Sequence, residues 1–228
     1  MSALVVDRMG RFVSGLKLES KVLSLSDDGT NTTLVVENVF HIRAMPSSHI
    51  RNVFIDGVSY NVIAVDYDAN TVTVIGVIVS ASVYKVPNPF YWYGTLISTA
   101  NEIRMLDDSQ KVPMIYLNEI ITEKRQTRPS RIKSIAPIRL AFADVYSNDW
   151  TRKQHHDLLI KPLSKLADYV FEQLDKRSCF AFREGSEVTQ NIVPKWGEIT
   201  RKGTKQKTFN EYLDAIEWVF DLEICDCK

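Results

Sequence analysis

Apolar and polar positions alternate in two different ways along this chain, and the change falls near Pro87. From about Lys17 to Val86 the period is two, the signature of strands with one buried face; after Pro87, single strand-like runs flank one long pattern of helical period. Ahead of both lies Met1 to Leu16. There Val5, Met9, Phe12, Val13 and Leu16 recur at helical intervals and predict a short helix, although Gly10 and Gly15 lower its propensity.

In the alternating region Val22, Ser24 and Ser26 interleave with Leu23 and Leu25, and Asp27-Asp28-Gly29-Thr30 supplies the left-handed backbone positions of a hairpin turn. A β-branched run from Thr32 to Arg43 returns the chain. Val53-Phe54-Ile55 and Val58 to Val65 are separated by Asp56-Gly57, the strongest short hairpin signal present. The turn Asp66 to Asn70 precedes Thr71 to Gly76, and Val77 to Val86 is a candidate for one strand more. So many short strands within about 70 residues leave too many open edges for a flat sheet, so a small SH3-like or OB-like barrel is expected. Phe40, Phe54, Tyr60 and Tyr67 sit among apolar neighbours and read as core rather than as base-stacking platforms.

The second half reads as α+β. Pro87 to Gly94 looks like a linker anchored by aromatics, and the capping-box spacing of Thr99 and Glu102 predicts a helix start. Met114 to Ile121 is an apolar strand for a sheet interior, Thr122 to Ser134 a basic interruption, and Ile138 to Val145 a second strand in which Leu140 and Phe142 face one way. Asp149 to Lys176 is a long helix with the stripe Leu159, Leu163, Leu166, Val170 and Leu174; Pro162 is expected to kink it or to start a second segment after Ile160. The last strand, Ala215 to Cys225, puts Ile216, Trp218, Phe220, Leu222 and Ile224 on one face and Glu217, Val219, Asp221 and Glu223 on the other. Trp218 is the expected core anchor, in a sheet crossed by one helix and closed by this strand. The organisation is thus 1–16 as a helix or arm, 17–90 as a barrel module and 91–228 as an α+β module.

Composition narrows the class. The chain has 228 residues with 45% hydrophobic, enough to bury a core, and no run approaching the roughly 18 apolar residues of a membrane span. Charges at Asp7, Arg8 and Arg11 interrupt the place of a signal-peptide core, so a soluble protein made in a cytoplasm is expected. Three cysteines, Cys179, Cys225 and Cys227, give an odd count with no evident disulfide framework, which fits a reducing compartment. Asn31-Thr32-Thr33 matches a glycosylation pattern that needs a secretory route to be used.

Net charge is zero, but its distribution along the second half is uneven. Lys124, Arg125, Arg128, Arg131 and Lys133 face only Glu123, and Arg201, Lys202, Lys205 and Lys207 form a second basic cluster. From Asn210 onward Glu211, Asp214, Glu217, Asp221, Glu223 and Asp226 oppose Lys228 alone. A charge run reads first as solvated surface, next as a docking surface for an acidic protein face, and last as a nucleic-acid contact.

No constellation for catalysis stands out. Adjacent histidines in His155-His156-Asp157 project about 100° apart on a helix and do not share a metal as positions four apart do. Cys225-Asp226-Cys227 with Cys179 lacks the second ligand pair of a zinc site. Phosphate-binding, dinucleotide and nucleophile-elbow motifs are absent from the sequence. The expectation is a non-enzymatic protein with no cofactor and no metal.

Val53 to Tyr60, Val65 to Val74 and Phe90-Tyr91-Trp92-Tyr93-Gly94-Thr95, followed by Val112 to Glu119, Arg139-Leu140-Ala141-Phe142, Ile160-Lys161-Pro162-Leu163 and the late acidic strand, make a familiar layout. In this layout and these loose motifs, over residues 17 to 224, the chain resembles head-to-tail connector or tail-terminator-like ring proteins of tailed bacteriophages, most closely those of crAss-like phages. The resemblance implies a tail-terminator-like second module. It also implies a virion subunit of the neck or tail, assembled in the host cytoplasm into a homo-oligomeric ring around the DNA channel. Portal and other neck or tail proteins would be its partners, with passive contact to packaged DNA and no membrane. The two basic clusters, with Glu217, Asp221 and Glu223, are then the expected subunit or partner interface, since complementary charge fixes register between subunits. The rival readings are a nucleic-acid- or glycan-binding barrel and a hydrolase built on the histidine pair.

Overall fold

The computed structural model describes residues 3–42, 52–103, 112–119, 124–128, 131–177, 179–182, 187–201, 204–207, 209 and 212–225. They form two compact units: Lys17–Asn88 with Arg152–Leu166, and Met1–Leu16 with Pro89–Thr151 and Ala167–Lys228. The first division after the barrel strands falls between Asn88 and Pro89, and the long helical segment is divided as well. Its first part groups with the barrel and the rest with the sheet. Helix α1 (Ala3–Ser14) buries Val5, Met9, Phe12 and Val13, as its spacing predicts. A Cβ on Gly10 would lie 3.1 Å from the Tyr91 ring, so the glycine that lowers helix propensity admits close aromatic packing.

Six antiparallel strands close the barrel: β1 (Glu19–Asp27), β2 (Asn31–Val36), β3 (Asn52–Ile55), β4 (Val58–Asp66), β5 (Thr71–Ile75) and β6 (Val83–Lys85), in the order β1-β2-β5-β4-β3-β6. Its interior takes every second residue, including Leu34, Val36, Val53, Ile55, Val62, Val72, Val74 and Tyr84. Register slips between Val22 and Ser24 and between Val62 and Ala64 leave Leu23 and Ile63 exposed. Such bulges add the bend that closure requires, so the simple alternation read across Leu23 fails there. Asp56 (φ 46°) and Gly57 (φ 87°) make the expected tight turn. The Asp56 carboxylate also accepts the backbone N–H groups of Ser82 and Val83, each at 2.9 Å, which ties this turn to β6. The candidate strand from Val77 shrinks to Val83–Lys85, and the run after Val36 leaves the sheet. Of the four aromatics assigned to the core, Phe40 and Tyr67 are buried, Tyr60 is half-buried and Phe54 is 37% exposed.

The supposed aromatic linker contains strand β7 (Phe90–Gly94), parallel to β8 (Met114–Asn118). Between them α2 (Leu96–Ile103) starts earlier than predicted, because Thr95 rather than Thr99 is its cap: the Thr95 hydroxyl oxygen accepts the Ser98 N–H at 3.2 Å. Thr99 lies one turn inside, with its N–H bonded to the Thr95 carbonyl. The basic stretch is not an interruption. It forms β9 (Lys124–Arg128) and the start of β10 (Arg131–Val145), which pair antiparallel with only Pro129 and Ser130 between them.

α3 (Arg152–His155) runs through a π-helical turn (His156–Ile160) into α4 (Lys161–Asp175). The Lys161 N–H reaches back five residues to the His156 carbonyl, and this widened turn accommodates Pro162 without ending the helix. All five stripe leucines and valines are buried. In the barrel unit Lys161 Nζ lies 2.5 Å from Asp68 in the β4–β5 turn.

The remaining strands are β11 (Phe180–Phe182), β12 (Thr189–Trp196), β13 (Glu198–Arg201), β14 (Thr204–Lys207) and β15 (Leu213–Cys225); β13 and β14 form a separate hairpin. The main sheet runs β11-β15-β10-β8-β7, with β12 also on β15 and β9 also on β10. The last strand therefore lies inside the sheet rather than at its edge. Its apolar face matches the sequence reading, and Phe171 of α4 packs on Trp218 (centroids 4.6 Å apart) and stacks on Phe182 at 4.2 Å. The opposite face is buried over half its length by a second cluster of Ala100, Ile103, Met114, Tyr116, Trp196 and Phe209. Gly197 (φ 85°) is required there, since a Cβ would lie 2.5 Å from the Phe209 ring. Among the described residues no helix is long and apolar enough to cross a membrane.

Candidate assembly surface

Lys124, Arg125 and Arg128 lie on β9, and Arg131 and Lys133 on β10. The register sets Arg128 directly opposite Arg131, Arg125 opposite Ser134 and Lys124 opposite Ile135. Like charges set opposite each other across two strands are destabilising, and the paired positions of β9 and β10 include no acidic residue. In the other basic cluster Arg201 ends β13, Lys205 pairs with Thr200 and Lys207 with Glu198; Lys202 lies outside the described residues.

The acidic set behaves differently. Asp221 and Glu223 are half-exposed, but Glu217 is buried at 5% exposure. Its carboxylate accepts the Arg139 guanidinium N–H groups at 2.6 and 3.1 Å and the Trp196 indole N–H at 2.9 Å. It is a structural ion pair and not an open docking acid. Strand alternation could not reveal this, because the residues that cover this face, Trp196 and Phe209, come from segments with no strong periodicity.

The register also changes the meaning of the charge pattern. β10 and β15 pair from Lys133 opposite Cys225 to Val145 opposite Leu213, so Ile135 faces Glu223 and Pro137 faces Asp221. Cationic and anionic stretches nearly 90 residues apart in sequence, Arg131–Lys133 and Asp221–Glu223, thus lie on neighbouring strands of one sheet. The cations on β9 have no acidic position opposite them in the pairing, whereas on the β13–β14 hairpin Lys207 stands opposite Glu198.

His155 is half-buried at the end of α3, while the His156 Nδ1 lies 3.1 Å from the exposed carboxylate of Asp157, whose pKa this hydrogen bond lowers. Among the described residues no three His, Cys, Asp or Glu side chains are grouped to hold a metal. Cys179 is disulfide-bonded, which corrects the expectation of free thiols. In the antiparallel register that sets Phe180 opposite Ile224, the backbone of Cys225 is the position next in line opposite Cys179. No protein-family model, no curated protein and no solved structure matches this chain.

Proposed function

We propose that this chain is a non-enzymatic subunit of a ring in the neck or tail of a tailed phage, surrounding the DNA channel between portal-side and tail-side components. The observation that carries the reading is the β9–β10 hairpin, where Arg128 and Arg131 face each other with no balancing acid in their register. Repulsion of this kind is tolerated when an acidic surface of a neighbour meets it on assembly. The layout of a closed barrel followed by an α+β sheet supports the finer assignment to an SH3-like or OB-like barrel and a tail-terminator-like module. The Cys179 disulfide agrees with a protein that resides in a virion, where disulfides persist after host-cell reduction no longer acts. Neighbouring subunits, portal and other neck or tail proteins are the partners in this reading, with only passive contact to packaged DNA.

The test is electron microscopy of the purified protein, alone and with candidate portal proteins, for the wild type and for Arg125→Glu, Arg128→Glu, Arg131→Glu. The triple variant is expected to remain folded by circular dichroism and to lose incorporation into rings. Exposed ion pairs contribute about 0 to 1 kcal/mol each, so the charges set register while apolar contacts hold the ring. Normal assembly of the folded triple variant refutes the interface. On the barrel, the nucleic-acid- or glycan-binding reading is favoured by Phe54, which is exposed on β3 opposite Lys85. Retention on DNA or glycan resin that weakens with salt and disappears in Phe54→Ala would decide for it.

A further inference from the structure

A cavity of about 370 Å³ in the sheet unit is lined by Arg8 and Arg11 of α1, by Arg177 just beyond α4, and by Phe12, Cys179 and Phe180. Among the described residues, none that lines it is a carboxylate. Arg8 and Arg11 stand three apart, so they share one helix face, and Phe12 and Phe180 meet edge to face at 5.7 Å beneath them. Both phenyl rings are buried, at 6% and 7% exposure, which gives the cavity a fixed apolar floor. We propose that this cavity is a binding site for a phosphate-type oxyanion, held chiefly by Arg11 and Arg177, with Arg8, which also has another interaction, in support.

Two arguments lead there. Helix C-termini favour cations, which accounts for Arg11 in the last turn of α1 and for Arg177 past α4, each separately. It does not account for both lining one cavity with a third arginine. Like charges gathered on one surface repel, and the segments that carry the exposed Arg11 and Arg177 are held in place by the Phe12–Phe180 contact on one side and the disulfide-bonded Cys179, two residues after Arg177, on the other. A bound anion removes that repulsion, and guanidinium groups match phosphate oxygens in paired, planar hydrogen bonds. The volume lies within the range of small-ligand sites, about 300–1,000 Å³, and exceeds what one phosphate fills. The remaining volume can therefore hold the group attached to it.

Inorganic phosphate, a nucleoside monophosphate and a short single-stranded oligonucleotide are titrated into the full-length oxidised protein by calorimetry at constant ionic strength. The comparison proteins are Arg11→Gln/Arg177→Gln and a control, Arg152→Gln, an exposed arginine of the barrel unit. Saturable phosphate binding that weakens at least tenfold in the double variant and is unchanged in the control is the expected result. Tighter binding of the oligonucleotide than of phosphate identifies a nucleic-acid backbone as the source, and the reverse order a free phosphate compound; either supports the site. In the wild type, phosphate should also protect Arg11 and Arg177 from phenylglyoxal, read by peptide mapping, which keeps the test independent of whether the variant folds. No saturable phosphate binding, equal binding by the double variant, absence of protection, or binding of polyglutamate in place of phosphate would each overturn the proposal. None of these outcomes depends on ring formation.

Discussion

Replacing Glu217 by alanine tests whether the acid belongs to folding or to assembly. The substitution removes the acceptor of the Trp196 indole N–H, which is buried with its ring stacked on Phe209 at 5.5 Å. Leaving a buried donor unpaired costs about 1–3 kcal/mol. It also removes the partner of Arg139. Breaking a fully buried ion pair costs about 3–5 kcal/mol, but the Arg139 side chain is 52% exposed and its charge can return to water. That part therefore falls to about 1 kcal/mol, as for surface pairs. The expected loss for Glu217→Ala is about 2–4 kcal/mol by urea denaturation, followed by circular dichroism. Glu217→Gln keeps an oxygen for Trp196 and should lose about half as much. In a double-mutant cycle with Arg139→Gln, the coupling should be close to 1 kcal/mol. A Glu217→Ala protein within about 0.5 kcal/mol of wild type that still fails to form rings would refute the reasoning and return Glu217 to the interface.

Trp218→Ala should cost about 3–5 kcal/mol, as large-to-small changes in a packed aromatic core do. Because its indole N–H has no hydrogen-bond partner among the described residues, Trp218→Phe should cost less than about 1.5 kcal/mol, and equal losses for the two variants would show that the facing of β15 had been misjudged. Reduction of the protein, or Cys179→Ser, should lower stability by about 2–4 kcal/mol, and peptide mapping of the unreduced chain should return Cys179 joined to Cys225. Asp28 and Asp66 have pKa values lowered from the usual 3.8, chiefly by backbone N–H groups of Asn31 and Thr30 and of Ala69 and Asp68. A depressed folded pKa means that this stabilisation is complete above the ordinary carboxylate value and is lost as pH falls through the lowered one. The barrel should therefore weaken below about pH 4, and Asp28→Asn/Asp66→Asn should flatten that acid limb in a thermal-melting series.

Much of the architecture was written in local pattern. Asp56-Gly57 marks its hairpin because left-handed backbone geometry is available to few residues, and the stripe from Leu159 to Leu174 survives Pro162 because burial of one face outweighs a single lost hydrogen bond. The alternation of Ile216 to Ile224 likewise fixes which face of β15 is buried, since the period of a strand is a property of its backbone. Neighbours across strands are a different matter. Whether β15 edges the sheet or lies inside it, whether Arg131–Lys133 lies far from Asp221–Glu223 or on the strand beside it, and whether Cys179 has a partner all depend on a register set by contacts distant in sequence. Glu217 reads as a solvent-facing acid until Trp196 and Phe209, carried in by Gly197, cover its face. The arginine-lined cavity draws on α1 and the end of α4, more than 160 residues apart in the chain, so no window of sequence could contain it. Backbone periodicity and turn chemistry act over a few residues and can be read directly; charge balance and binding geometry are sums over neighbours, which only the folded chain assembles.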